Sequence, residues 1–387
     1  MKYLLLLFTK KWRIEFFETF LIPELDKEIF VEYFDIYQNN FTETKKILNL
    51  EKLHDSFQCL GLFDDAMNIL SLVLYELNIN NLKGTNFLSY QITSNKLCAR
   101  SLLYGCETVK FDKITNNQEN IQNLGKKSIF KPINSSSSFG IKIIDSNEII
   151  KNPYYQQEII DSNILNTCKN FKELEPYFSE SIVGIIEEYI DPKSIKVSVD
   201  GFISNKKINH YSISENVYFD NNNEEFDYLV TPSQNISISE RIKCWLLYDK
   251  VIEQLINRGL NNQFCDIEMF IIRSNKESVI KIMEINCRAF SNQLPIFSMI
   301  YSQNSMFNIS QKLLFLDEFT ISENLNNNGL IGVCLYRPSI KNKDNIINKH
   351  NITYYKVSDD ISHIYSIGND FETIYKNCLD FYDSLKS

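Results

Sequence analysis

The residues whose types and spacing could do chemistry lie between Phe264 and Arg288. Two apolar runs, Phe264–Ile272 and Val279–Cys287, flank the polar turn Arg273–Ser278. That pattern predicts a β-hairpin. A turn centred on Lys276 sets Glu268 opposite Glu284 and Asp266 opposite Asn286, and the two-residue period of a strand puts all four on one face. Like charges directly opposite each other destabilise a sheet. If that face is half-buried, hard cations are the natural compensation, because Mg²⁺ takes oxygen ligands such as carboxylates and substrate phosphates. Arg288 continues the face two residues beyond Asn286 and suits an anion beside the metal. The competing reading is a solvated face whose acids simply meet water.

Two further segments carry functional patterns. In Ser128–Ile141 a strand ends in Lys131-Pro132, followed by Asn134, Ser135, Ser136, Ser137, Ser138, Phe139 and Gly140. Small side chains let backbone N–H groups approach phosphate oxygens, and lysine supplies a point charge for the same oxygens. The segment is not a Walker A loop, since GxxxxGK[ST] is absent. In Ile185–Pro192 an apolar strand ends in Glu187, Glu188, Tyr189 and Ile190 before Asp191-Pro192. The two glutamates point to opposite sides, so one can face a cleft while the other faces water.

In this order the three segments resemble the ATP-grasp superfamily, over roughly residues 57 to 315. The resemblance rests on Lys96 in a helix, the Lys-Pro strand with its small-residue loop, Glu187–Ile190, and Glu284-Ile285-Asn286-Cys287-Arg288. Asp64-Asp65-Ala66 and Leu82–Gly84 match the approach to that module. The resemblance implies that Lys96 and Lys131 bind ATP phosphates and that the loop 134–140 closes over them. Residues Glu187, Glu188, Tyr189 and Ile190 would hold adenine, chiefly through the backbones of Glu188 and Ile190. Glu268, Glu284 and Asn286 would hold two Mg²⁺ ions, with Mn²⁺ as a substitute. Arg288, with Lys131, would be catalytic at the transferring phosphate or acyl phosphate. The sequence departs from the family in three places. Four serines stand where glycines are usual. The ribose-contacting glutamate is replaced by Ser194 or Lys196. Ala289–Gln293 replaces a glycine-rich continuation and is expected to line the acceptor site.

The implied reaction is ATP-dependent ligation of a small-molecule carboxylate to an amine, on amino-acid or peptide-like substrates, as in L-amino acid ligases. The alternatives are an ATP-grasp enzyme of carbamoyl or purine-pathway type, and a nucleotide-binding protein without turnover. A homodimer is one option for assembly.

The elements that must position these residues follow from periodicity. Tyr3–Phe8, Ile29–Tyr37 and Phe57–Phe63 read as strands and Ile14–Leu25 as a helix. A second helix follows Asp64-Asp65 with Ala66, Ile69, Leu70, Val73, Leu74 and Leu77 on its apolar face. This alternation predicts a small parallel sheet. Without GxGxxG after the first strand, it is not a dinucleotide site. Ser94 is the expected cap of a helix running to Gly105. Ile195, Val197 and Val199 alternate with Lys196, Ser198 and Asp200 along a strand. Ser239–Asn257 reads as a long helix, and the last sixty residues as strands around 330–337, 353–356 and 362–366 followed by a helix. The expected fold class is α/β of mixed α+β character. It comprises an N-terminal α/β domain over 1–93, the ATP-grasp module over 94–325 and a small C-terminal α/β domain over 326–387.

Composition narrows the class. The chain of 387 residues has 40 Lys and Arg against 49 Asp and Glu, a net charge of −9. That argues against a protein that coats nucleic acid or anionic membrane. Nine cysteines, an odd number without CxxC spacing, and four scattered histidines (54, 210, 350 and 363) make a zinc site an unattractive reading. They fit free thiols in a reducing compartment, which places the protein in the cytoplasm. The apolar start runs into Lys10-Lys11-Trp12-Arg13 and reads as a buried strand rather than a signal peptide. No stretch approaches the ~20 apolar residues of a membrane span.

Overall fold

A computed structural model of the chain describes residues 3–9, 14–20, 29–35, 42–43, 46, 57–61, 64–76, 93–103, 105–115, 124–133, 140–145, 182–191, 193–218, 226–274, 277–288, 294–301, 305–315, 329–341, 346–349, 351–357 and 361–386. The N-terminal part is a three-stranded parallel sheet in the order β2-β1-β3, built from β1 (Tyr3–Thr9), β2 (Ile29–Asp35) and β3 (Phe57–Gly61). Helices α1 (Ile14–Phe20) and α2 (Asp64–Glu76) accompany it, and Ala66, Leu70 and Val73 of α2 are fully buried. This is the expected parallel unit. Helix α3 (Lys96–Leu102) follows, capped by Asn95 rather than Ser94: the Asn95 side chain accepts the Cys98 N–H at 3.0 Å. Asparagine at this position satisfies one of the amides that the first helical turn leaves open.

A four-stranded antiparallel sheet comes next, in the order β4-β7-β5-β6, from β4 (Phe111–Thr115), β5 (Lys127–Pro132), β6 (Lys142–Asp145) and β7 (Ile182–Glu188). The lysine-ending strand and the glutamate-ending strand are therefore neighbours, with Lys131 opposite Ile185 and Ile129 opposite Glu187. They approach so closely at Gly184 that a Cβ there would lie 2.6 Å from the Lys131 carbonyl oxygen. Only glycine tolerates this contact.

The largest sheet has nine strands in the order β12-β11-β8-β9-β10-β13-β16-β15-β14. Its members are β8 (Ile195–Ser204), β9 (Lys207–Tyr218), β10 (Phe226–Thr231), β11 (Gln263–Arg273), β12 (Ser278–Asn286), β13 (Ile331–Pro338), β14 (Ile346–Lys349), β15 (Ile352–Lys356) and β16 (Ile361–Gly368). The strands β9, β10 and β14 are additions to the sequence reading. Its polar loop Asp220–Asp227 ends inside β10, and its candidate linker Asn326–Gly329 lies outside the described residues except for Gly329. Because β13 pairs with β10, the C-terminal strands continue the central sheet.

Helix α4 (Ile238–Ile256) starts at a capping box in which Ser237 and Glu240 satisfy each other's backbone N–H groups. Its Tyr248, Val251, Ile252 and Leu255 pack on Val197, Val199, Ile213, Cys265 and Ile267. The apolar half of the Ile195–Val199 alternation thus faces α4, and the polar half faces the other side of the sheet. That side is shared with the hydrophobic cluster beneath α5 (Leu294–Tyr301) and α6 (Met306–Phe315), where Phe297 and Phe307 pack with Phe202 and Phe264. Helix α7 (Phe371–Lys386) closes the C-terminal strands with Ile374, Cys378, Phe381 and Tyr382.

His363 of β16 is buried in this C-terminal layer, 2.9 Å from the Tyr365 hydroxyl, and burial pushes its pKa down to about 3. The unfolded chain takes up a proton near pH 6.5, whereas the folded chain waits until about pH 3. Stability is fully present above pH 6.5 and falls by about 1.4 kcal/mol per pH unit as the pH drops through that window. The His363→Gln variant should lose this share of the slope. Urea unfolding of both proteins between pH 7 and pH 4 checks it, and equal slopes would contradict a neutral buried imidazole.

Candidate active site

The hairpin β11–β12 pairs Glu268 with Glu284 and Asp266 with Asn286, as the sequence reading expects. The route differs from a simple turn centred on Lys276. At the turn end Arg273 pairs with Ser278, one residue out of step, and a β-bulge at Met283 shifts the register. Without the bulge, Met283 would oppose Glu268 and the acids would be divided between two faces.

The bulge is held from outside the sheet. Arg100 of α3 donates to the Met283 carbonyl at 2.5 Å and, through Nε, to Glu187 Oε1 at 2.6 Å. Glu187 Oε2 lies 2.7 Å from Lys131 Nζ. The buried carboxylate of Glu187 therefore ties β7, β5 and α3 to the segment that presents Glu284. Burial alone would raise the Glu187 pKa, but Lys131 and then Arg100 hold it below the usual carboxylate range. Sequence reasoning missed Arg100. The signal was available, since Lys96 and Arg100 stand four residues apart on one helical face.

Glu187 and Glu188 do turn to opposite sides, but Glu188 does not meet water freely. It forms an ion pair with Lys281 and accepts the Lys110 N–H at 2.9 Å. Its own amide donates to the Lys110 carbonyl at 2.9 Å, and the Tyr189 amide donates to the Lys127 carbonyl at 3.4 Å. The Glu188 N–H is thus taken up by Lys110, so an adenine contact at Glu188 would use its backbone carbonyl, beside the backbone of Ile190.

Glu187→Gln is expected to destabilise the protein by about 3–5 kcal/mol, because it leaves Arg100 and Lys131 buried without their shared carboxylate. A lowered urea midpoint checks this, and a shift below about 1 kcal/mol would contradict it.

Lys96 Nζ lies 3.1 Å from Glu284 Oε1, and Lys196 Nζ lies 2.6 Å from Glu268 Oε2. Burial would raise the Glu284 pKa, yet Lys96, Lys131 and Lys196 together pull it down to about 2. Asp266 is completely buried. Burial, and then the neighbouring Glu268 charge, push its pKa well up, against the opposing pull of Arg288, Asn286 and Lys196. Asn286 Nδ2 donates to Asp266 Oδ2 at 3.1 Å, while Asp266 Oδ1 has no hydrogen-bond partner. Asp200 of β8 pairs with Asp266 in register and is also buried. Arg288 is buried at the end of β12. The solvated-face reading of these acids therefore fails.

Glu268, Glu284 and the Asn286 side-chain oxygen are hard donors, and the unpartnered Asp266 oxygen stands beside them, so the donor chemistry fits Mg²⁺. Among the described residues, no three His, Cys, Asp or Glu side chains converge enough to form a metal site by themselves. A pocket between Lys96, Arg100, Lys131, Met283 and Glu284 opens at the meeting of the two sheets.

Ser135, Ser136, Ser137 and Ser138 lie outside the described residues, as does Ala289–Gln293. Gly140, at the loop's end, has φ +71°, and a Cβ there would sit 2.7 Å from the Pro132 ring. Lys196 turns into the site and Ser194 precedes the strand. His210 packs against α4, stacked on Trp245 at 4.1 Å and 2.7 Å from Asp249. His54 and His350 lie outside the described residues. Of the cysteines, Cys244, Cys265, Cys287, Cys334 and Cys378 are buried free thiols and Cys98 is exposed. Among the described residues no helix is long and apolar enough to cross a membrane.

A four-stranded antiparallel sheet facing the polar side of a larger antiparallel sheet, behind a parallel N-terminal unit, is the ATP-grasp fold. The sequence matches no family model and no curated protein. Solved structures match over nearly the whole chain. The L-amino acid ligase from Bacillus licheniformis superposes with a TM-score of 0.71 at 13% identity, covering 99% of this chain and 97% of that one. Carboxyaminoimidazole ribonucleotide synthase from Aspergillus clavatus, solved with ATP, gives 0.68 at 14% identity and 99% coverage of both. Biotin carboxylase from Campylobacter jejuni gives 0.65 at 9% identity, covering 96% of this chain and 89% of that one.

Proposed function

We propose that the protein is an ATP-dependent ligase that activates a carboxylate as an acyl phosphate and joins it to an amine, releasing ADP and phosphate. The observation that carries this reading is the approach of Lys96 and Lys131 to Glu284, on a hairpin that also bears Glu268, Asn286 and Arg288, in a chain with the ATP-grasp fold. A carboxylate is a poor acyl donor because its leaving oxygen is too basic. Phosphoryl transfer to it needs positioning and charge neutralisation more than covalent help from protein. Lys96 of α3 and Lys131 of β5 would hold phosphate oxygens. Ser135, Ser136, Ser137, Ser138 and Gly140 would cover them, and Glu187, Glu188, Tyr189 and Ile190 would border the adenine. Arg288 would hold the transferring phosphoryl group with its planar fork. Glu284 and Asn286, facing Glu268, would hold Mg²⁺, which when bound neutralises phosphate charge.

The L-amino acid ligase among the similar structures supports amino-acid or peptide-like substrates. The Aspergillus clavatus synthase, also solved in complex with ADP and its aminoimidazole ribonucleotide, supports a purine-type acceptor as the second reading. Phosphate release from Mg·ATP, screened over pairs of amino acids and over bicarbonate with aminoimidazole ribonucleotide, separates the two. Release that requires a carboxylate and an amine together is the expected result. ATP binding without release in any arm would overturn the ligase reading.

A further inference from the structure

We propose that Lys196 takes the place of one divalent cation at this site, so that nucleotide binds with a single metal ion at Glu284 and Asn286. The inference rests on the ATP-site reading above and refines it. The hairpin offers two opposed carboxylates, Glu268 and Glu284, each able to hold an ion. Their present counter-charges are not equivalent. Lys96 reaches Glu284 from α3, outside the sheet that carries Glu284, and Glu284 remains a third exposed. An arriving phosphate can draw that lysine away. Lys196 belongs to the same sheet as Glu268: β8 and β11 pair continuously from Ile195–Ile271 to Ile203–Gln263, so the ladder fixes both backbones. The Lys196 and Glu268 side chains are only 8% and 11% exposed.

Withdrawing Lys196 would strand a buried carboxylate and a buried ammonium, which is strongly unfavourable. The pair therefore stays closed when nucleotide binds. Charge points the same way. On the cleft face Asp200, Asp266, Glu268 and Glu284 stand against Lys96, Lys131, Lys196 and Arg288. Such a face is too nearly balanced to hold two dications. An ammonium is a compact charge with three donors but no open coordination position. It can neutralise Glu268 and still reach a phosphate oxygen.

The test counts bound Mn²⁺ per protein, by electron paramagnetic resonance, with saturating adenylyl imidodiphosphate. Wild type should bind one ion, and Lys196→Met should bind two, since Glu268 then faces the second ion. Glu268→Gln, in an otherwise unchanged chain, should keep the count at one, and it serves as the test if Lys196→Met does not fold. Two ions in wild type with the analogue bound would overturn this inference alone. So would a Lys196→Met count of one, or a count lowered by Glu268→Gln. Failure of the analogue to bind wild type at all would overturn the nucleotide-site reading together with it.

Discussion

Glu284→Gln should reduce phosphate release by about three orders of magnitude or more while leaving the fold intact. The carboxylate stands where the two layers meet, paired with Lys96 at 3.1 Å and surrounded by the fields of Lys131 and Lys196. Glutamine keeps its size and one oxygen but removes the charge that a hard cation needs. Glu284 is a third exposed and neutralises Lys96 alone, whereas the buried Glu187 neutralises both Arg100 and Lys131, so the loss of Glu284 costs the fold less. Asn286→Ala should act in the same direction, by about two orders of magnitude. It also removes the amide that donates to Asp266 at 3.1 Å. Circular dichroism checks folding, and near-normal turnover in a folded variant of either position would contradict the metal assignment.

Arg288→Lys should lower turnover by about two to three orders of magnitude, the scale seen when one transition-state donor is lost. Nucleotide affinity should change little, because Lys96, Lys131 and the Glu187–Ile190 segment remain. Arginine cannot ligate a metal, and its fork matches phosphate or carboxylate in two parallel bonds. Lysine keeps the charge and loses that geometry. Arg288 is buried at the end of β12, and its charge acts on Asp266 across the hairpin. Isothermal titration with an ATP analogue, beside a phosphate-release assay, reads the two quantities separately. Loss of nucleotide binding with unchanged turnover at saturation would contradict the role, and wild-type values for both would make Arg288 a structural partner only.

Much of the site was legible because strand and helix periods are local. The spacing of Asp266 and Glu268, and of Glu284 and Asn286, is enough to place each pair on one face. The alternation Ile195, Val197, Val199 against Lys196, Ser198, Asp200 states which half of β8 meets α4. The parallel pairing of the first two N-terminal strands agrees with the helical segment Ile14–Leu25 read between them. Register is a different matter. Glu268 meets Glu284 only because Met283 bulges, and the bulge is tied down by Arg100, more than 180 residues away in sequence. Nothing within the hairpin announces that partner.

Burial is the second property that no local pattern carries. A strand whose polar face reads as solvent-facing becomes a buried polar layer when another sheet and its helix close over it. Lys196, Ser198 and Asp200 are all buried for that reason. The sequence left open which side Glu187 would choose and what Lys196 would meet. Packing decided both: Glu187 met two buried cations, and Lys196 met Glu268 on the neighbouring strand. The sequence by itself thus determined which residue types stand in these segments and which of them share a face within each strand. The tertiary structure alone decided their partners, because charge neutralisation in a buried layer depends on contacts between segments far apart along the chain.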